Sequence, residues 1–173
     1  MKWWLWIPVA LVALAVATWI IGASLPREHS ATCVARFKAS PRGLYDSIAD
    51  VAGAQSWRKE LSKVELLPPR DGKITWREES SWGKVDYLRE IDEPGERVVV
   101  RIVSDDLPYG GTWTYRLEPD GAGTKLSITE DGFVKPAFFR FMARFVFGYH
   151  ATMEGSLKAL GAKHGEAVVP ERI

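Results

Sequence analysis

An uncharged apolar run near the amino terminus constrains this chain more than any other feature of its sequence. From Trp3 to Leu25 there is no charged residue and no histidine, over about 23 positions. As a helix rising 1.5 Å per residue, the run is roughly 34 Å long, enough to cross a hydrocarbon core of about 30 Å. Tryptophans, which prefer the headgroup boundary, lie towards both ends of the run at Trp3, Trp4, Trp6 and Trp19. We therefore predict a membrane anchor over residues 1–26, crossing the membrane once.

A cleaved secretory signal is the alternative to an anchor. The apolar core of such a signal is usually about 7–15 residues long, shorter than this run. The small residues Gly22, Ala23 and Ser24 nevertheless provide a possible cleavage site. Positive charge is nearly balanced across the run, because Lys2 precedes it and Arg27 follows it closely. The balance of positive charge slightly favours a cytoplasmic amino terminus and a domain outside the cytoplasm.

The residues after the run carry no net charge. Lys2 is the only base before Arg27 and no acid precedes Glu28, so from Arg27 onward 22 bases balance 22 acids. A neutral domain has no field that attracts phosphates, which argues against a nucleic-acid binder. The single cysteine, Cys33, excludes a disulfide within the chain.

Hydrophobic periodicity predicts one α+β domain over residues 27–165. Alternation over 30–39 predicts a strand, and Ser40 followed by Pro41 predicts the N-cap and first residue of a helix. Turns rich in Gly and Pro then separate further strands, and their short loops favour an antiparallel meander. These strands are predicted at 64–67, 73–80, 84–91, 97–104, 111–118 and 124–130. A wide aromatic stripe predicts one long helix over 136–163, and residues 166–173 are expected to form a loose C-terminal tail.

This order of elements resembles the helix-grip fold of the START-like, or SRPBCC, superfamily, and within it the polyketide cyclase/dehydrase-like branch. The resembling segments are ASPRGLYDSIADV, then SWRKELSKVELL, then GGTWTYRLEPDGAGTKLSITEDG, then KPAFFRFMARFVFGYHATMEGSLKALG. Together they cover nearly everything from His29 to Gly165. The resemblance implies a curved antiparallel sheet wrapped on the long C-terminal helix, with a cavity for apolar ligands between them. The transmembrane helix is an addition to that domain.

Strand alternation places several aromatic side chains on the faces turned towards the long helix. Trp113 shares a face with Tyr115, Ile128 shares one with Glu130, and Trp76 shares one with Glu78. We predict that the ligand-binding residues are Trp76, Trp113, Tyr115, Ile128, Phe141, Phe145 and Tyr149. A filled core made of the same residues is the alternative, because pockets and cores are both mostly apolar.

Polar residues beside this face suggest a possible chemistry. A carboxyl group held in an apolar cavity can serve as a general acid or base, and the parity of Glu130 aims it inward. His150 follows Tyr149 on the predicted helix, so Glu130 and His150 are the candidate catalytic residues. The three histidines and Cys33 lack the spacing of metal ligands, and no Gly-rich phosphate loop is present. We therefore expect no metal and no cofactor.

Three functions are compatible with these patterns. The first is a membrane-anchored domain that binds a hydrophobic small molecule or lipid in a cavity between the sheet and the long helix. The second is a polyketide cyclase/dehydratase-like or hydrolase-like enzyme that uses acid and base residues in that cavity. The third is an accessory interaction subunit with a vestigial cavity. The expected partners are the hydrophobic molecule and the membrane, without nucleic acid.

Overall fold

The computed structural model describes Trp4 and residues 6–173, so Lys2 and Trp3 of the predicted anchor lie outside the described residues. In these described residues, four α-helices and eight strands follow one another. In order they are α1 (Trp6–Ser24), β1 (Glu28–Phe37), α2 (Pro41–Ala49), β2 (Leu61–Arg70), β3 (Lys73–Ser80), β4 (Gly83–Glu93), β5 (Arg97–Ile102), β6 (Tyr109–Asp120), β7 (Gly123–Val134), α3 (Ala137–Met142), α4 (Ala151–Lys163) and β8 (Glu171–Arg172). A π-helical turn over Ala143–Phe147 follows α3.

The eight strands form one antiparallel sheet in the order β2-β3-β4-β5-β6-β7-β1-β8. Residues directly opposite each other in an antiparallel pair point to the same face, and Ile128 lies opposite both Cys33 and Tyr115. On this concave face, α2 and α4 cover a core of almost fully buried side chains. The core includes Cys33, Leu44, Leu126, Ile128, Met153 and Leu157. The predicted helix-grip class, with an apolar helix in front of it, is confirmed.

The helix that starts at Pro41 begins as the sequence predicts. Ser40 is its N-cap, and the Ser40 hydroxyl accepts a hydrogen bond of 3.2 Å from the backbone N–H of Gly43. This bond satisfies one of the backbone donors that the first turn leaves free. Leu44 and Tyr45 then place buried side chains against the sheet.

The prediction of one continuous helix over 136–163 is wrong. Gly148 has φ 73° and ψ 158°, a backbone conformation that glycine alone adopts readily, and the chain turns there between the π-helical turn and α4. Apolar spacing continues across the break, so periodicity does not reveal it. As a result α4 packs on the sheet, whereas residues 137–147 turn away from it and α3 packs against α1.

Close backbone packing joins α1 to α3. Gly22 is the buried residue of α1, and a Cβ atom there would overlap the backbone carbonyl oxygen of Ala137. The Arg140 guanidinium is itself buried and donates hydrogen bonds to the carbonyls of Gly22, at 2.8 Å, and Lys135, at 2.6 Å. The carboxyl end of α1 is therefore held against the segment that follows β7.

Proline does not end the first strand after α2, which is longer than the predicted 64–67. Strand β2 continues through Pro68 and Pro69 to Arg70, with a register shift after Leu67. An edge strand tolerates proline because one side of its backbone has no ladder partner.

The C-terminal tail is not loose. Glu171 and Arg172 pair with Val34 and Cys33 at the free side of β1. Just before them, the Glu166 carboxylate accepts hydrogen bonds from the backbone N–H groups of Lys38, at 2.6 Å, and Ala39, at 2.9 Å. Backbone pairing of this kind leaves no hydrophobic periodicity, so it could not be predicted from the sequence.

Candidate functional site on the concave face

The concave face has a filled half and an incompletely covered half. In the filled half, Leu117 and Leu126 are buried beneath α2 and α4. The other half lies where β1 begins and β7 ends, next to α1 and α3. Its side chains share the concave face and keep part of their surface accessible: Tyr87, Val100, Ile102, Trp113 and Tyr115.

A buried ion pair lies on β3 at one side of this open half. The Glu78 side chain is 9% exposed, and its Oε1 accepts hydrogen bonds from Arg58 Nη1 at 2.8 Å and from Trp76 Nε1 at 3.0 Å. Within the described residues, no hydrogen bond reaches the second oxygen, Oε2. Burial alone would lower the pKa of Arg58, but the Glu78 carboxylate raises it above its ordinary value, so the guanidinium stays charged.

Two phenols lie beside the ion pair. Burial raises the pKa of Tyr115 to about 12 and holds the pKa of Tyr87 well above its usual range. Both side chains nevertheless keep accessible surface. Both also lie on the concave face, where the Tyr87 ring stacks on Trp76 and the Tyr115 ring lies beside Trp113. These two tyrosines therefore mark the candidate pocket.

A second polar cluster lies across the face on β1, β6 and β7. The Glu130 carboxylate contacts His29 Nε2 at 3.0 Å through Oε1 and accepts a hydrogen bond of 2.7 Å from Trp113 Nε1 through Oε2. The His29 ring stacks on Tyr149 with centroids 4.0 Å apart and planes 15° from parallel. A carboxylate that orients an imidazole is an arrangement that can move a proton.

Trp113 and Tyr115 connect the two clusters, with ring centroids 6.1 Å apart on β6. The open half is thus an aromatic wall with a carboxylate at each side. Such a surface suits a largely apolar ligand with one or two hydrogen-bonding groups. Among the described residues, no group of three His, Cys, Asp or Glu side chains comes together.

The structure brings some of the predicted ligand-binding residues together here. Trp113, Tyr115 and Tyr149 border the open half, and Trp76 is buried at its side, 5.6 Å from the ring of Tyr87. Ile128 lies in the filled core and is 1% exposed.

Phe141 and Phe145 lie elsewhere. Their ring centroids are 5.0 Å apart, on the segment that turns towards α1. Phe145 is 59% exposed, so its ring does not lie between the sheet and the long helix, where the ligand-binding residues were predicted. The break at Gly148 is the physical reason, because it removes this part of the stripe from the sheet.

Of the two candidate catalytic residues, Glu130 faces inward as predicted by parity, but its partner is His29. His150 precedes α4 and accepts a bond of 3.9 Å from the Cys33 thiol through its backbone carbonyl. His29 shares the parity of Cys33, but the predicted strand began after it. Arg58 lies in a loop, where no periodicity could point to it.

Two open clefts lie beside the concave face. A cleft of about 850 Å³ is formed by the start of α2, the β4–β5 turn and the end of β6, with Ser40, Glu93 and Arg116 among its residues. A cleft of about 490 Å³ lies along the paired ends of β1 and β7 and includes His29. The second cleft therefore reaches the rim of the open half.

An antiparallel sheet that grips a C-terminal helix, with an aromatic concave face, defines a START-like (SRPBCC) domain. The chain belongs to the polyketide cyclase/dehydrase and lipid transport family, whose sequence profile matches residues 28–165. No curated protein matches the sequence.

Solved structures share this fold at low sequence identity. The Zhui aromatase/cyclase from a Streptomyces species is 19% identical, with a TM-score of 0.61 over 80% of this chain and 92% of that one. Norcoclaurine synthase from Thalictrum flavum is 13% identical, with a TM-score of 0.63 over 85% of this chain and 91% of that one. The di-domain aromatase/cyclase StfQ of the steffimycin pathway is 14% identical, with a TM-score of 0.61 over 79% of this chain, which spans only 49% of StfQ. At these identities the likeness establishes the fold.

Proposed function

We propose that this chain is a membrane-anchored domain that holds a hydrophobic small molecule or lipid on the open half of its concave face. The observation that carries the proposal is the pair of deep but accessible phenols, Tyr87 and Tyr115, next to Trp113. Rings in this setting provide apolar contact area, and the carboxylates of Glu78 and Glu130 provide hydrogen-bond acceptors at its sides.

The apolar helix α1 supports the membrane part of the proposal. It is the one helix in the described chain that is long and apolar enough to cross a bilayer, with 19 residues and almost no buried side chain. A helix without a protein surface to cover it requires another apolar environment. A site tethered at a bilayer also meets membrane-dissolved molecules at a high effective concentration.

The expected affinity is modest. Burying about 300 Å² of apolar ligand surface at about 25 cal/mol per Å² gives about 7.5 kcal/mol before the cost of association. Apolar contact alone therefore supports weak to micromolar binding, and tighter binding requires polar contacts to the ligand.

Energy transfer from tryptophan to a fluorescent fatty acid, cis-parinaric acid, tests this proposal on the full chain in detergent. Trp113 lines the open half, whereas Trp82 is 86% exposed at the β3–β4 turn. We expect a saturable response that shrinks in Trp113→Phe and persists in Trp82→Phe. An unlabelled isoprenoid or sterol that competes would define the preferred ligand class. A flat titration with cis-parinaric acid would contradict fatty-acid binding on the open half and would favour the accessory-subunit alternative.

The pairing of His29 with Glu130 favours an acid–base enzyme as the second candidate function. The two candidates differ in what the site retains. Native mass spectrometry of full chain purified from its own host should find the same bound molecule in the parent and in Glu130→Gln if the domain is a carrier. An enzyme would instead accumulate a different, unconverted molecule in Glu130→Gln.

A further inference from the structure

The exposed aromatic side chains that follow β7 all lie on one short stretch of chain, residues 137–147, here called the aromatic segment. It comprises α3 and the π-helical turn, and its large apolar side chains are about half exposed. They are Phe138, Phe139, Phe145, Val146 and Phe147, between 49% and 59% exposed. A contiguous apolar patch of this kind marks an interaction surface on a soluble domain.

The aromatic segment is fixed in place and continues the apolar surface of α1. Arg140 bonds the Gly22 carbonyl, and Gly22 packs directly on Ala137 at the carboxyl end of α1. At the other end of the segment, Gly148 holds the turn into α4. The rings of α3 therefore lie beside the point where α1 ends, and the π-helical turn with its exposed side chains continues directly from α3.

Charge around the segment favours an anionic lipid surface as its occupant. From Gly132 to Met153 the sequence contains no aspartate or glutamate. The same stretch carries Lys135 and Arg144, both exposed, besides the buried Arg140. Exposed bases among aromatic rings are typical of segments that lie in a membrane interface, and each base near an anionic surface strengthens the binding.

We propose that the aromatic segment is a second membrane contact, which lies in the interface of a bilayer containing anionic lipids beside the point where α1 leaves it. The inference rests on the proposed function, because it requires α1 to be a membrane anchor. The segment joins the end of β7 to the start of α4, next to the open half of the concave face. Its insertion places that open half at the bilayer surface, where an apolar ligand passes between lipid and protein without crossing water.

The depth of the segment can be measured with an environment-sensitive label on cysteine. Cys33 is 0% exposed, so the parent chain takes up no label and serves as the blank. The test variant is Val146→Cys, and the matched control is Ala122→Cys in the exposed β6–β7 turn. The 12 residues of β7 separate that turn from the segment by about 40 Å at about 3.3 Å per residue.

Each full-length variant carries an NBD label and is reconstituted into vesicles of phosphatidylcholine with phosphatidylglycerol. Some of the vesicles contain doxyl-labelled lipid, which quenches NBD on contact. We expect severalfold quenching and a blue shift at position 146, and no change at position 122. Arg144→Glu should weaken the quenching on anionic vesicles, whereas Arg116→Glu on β6 should not.

The outcomes separate this inference from the proposed anchor. If the chain resists carbonate extraction from the vesicles but position 146 is not quenched, the anchor stands and the second contact is refuted. A blue shift without lipid quenching, together with a dimer by crosslinking, would make the segment a protein interface and would also refute it. If the chain does not remain with the vesicles, the anchor itself is wrong, and the inference falls with it.

Discussion

Removal of Arg58 should destabilise the domain more than any other change to the polar groups of the concave face. Arg58→Met leaves the Glu78 carboxylate, which is 9% exposed, without its cation. Breaking a buried pair by removing one partner costs about 3–5 kcal/mol. The Arg58 side chain is 23% exposed, so water reaches the vacated site and we expect the lower end, about 3 kcal/mol.

The two carboxylate partners of Arg58 provide an internal control. Glu60 contacts Arg58 Nε at 2.9 Å but is 53% exposed, so Glu60→Gln should cost less than about 1 kcal/mol. Glu78→Gln keeps an acceptor for Trp76 and leaves Arg58 with Glu60, so it should cost about 1–2 kcal/mol. The expected order of destabilisation is therefore Arg58→Met, then Glu78→Gln, then Glu60→Gln.

Guanidinium unfolding of full-length chain in detergent, followed by circular dichroism, measures these differences. The double variant Arg58→Met/Glu78→Gln should recover most of the loss seen in Arg58→Met, because it removes the stranded charge. Equal losses in Arg58→Met and Glu60→Gln, or no recovery in the double variant, would refute a buried pair at this position.

Three further predictions concern the helix break, the aromatic segment and the deep phenol. Gly148→Ala should cost about 1–3 kcal/mol in the same unfolding assay, because alanine does not fit φ 73°, ψ 158°; an unchanged midpoint would contradict the break. Phe145→Ala should change the free energy of unfolding by less than about 1 kcal/mol, whereas Met153→Ala, at a residue with 0% exposure, should cost about 2–5 kcal/mol. Similar losses in the two variants would mean that the Phe145 ring is buried. The pKa of Tyr115 is about 12 in the folded domain, above its value in the unfolded chain. Its protonated phenol therefore contributes fully to the free energy of unfolding below about pH 10, and this contribution is lost as the pH rises towards 12. Tyr115→Phe should therefore lose less stability than the parent over that pH range. Parallel plots of stability against pH for the two proteins would contradict the raised pKa of Tyr115.

Side-chain parity made much of the sheet predictable. The predicted alternation that puts Trp113 and Tyr115 on one face holds in the paired strands, where Glu130 lies opposite Trp113. Parity depends on local backbone geometry, and each strand shows it without reference to its neighbours. The concave face could therefore be assigned before any contact between strands was known.

The rest of the site depends on contacts between distant parts of the chain. Arg58 reaches Glu78 from a loop, and His29 reaches Glu130 across 101 positions of sequence. The aromatic stripe was equally misleading. Phe145 keeps the spacing of the long helix in sequence, although the break at Gly148 and the packing of α3 on α1 take that part of the chain off the sheet. Hydrophobic spacing shows that a side chain needs an apolar neighbour, but it does not identify the neighbour.

The pairing of β8 with β1 also affects how the domain behaves when many copies of it are close together. A sheet exposes unpaired backbone groups at both edges, and such edges template pairing between copies. Here one edge strand, β2, contains Pro68 and Pro69, and the other side of β1 is partly occupied by Glu171 and Arg172. By pairing with β1, Glu171 and Arg172 thus hinder the addition of a strand from another chain. A deletion or fusion that displaces them would leave β1 free to recruit a second chain, and aggregation would then appear without any loss of the core.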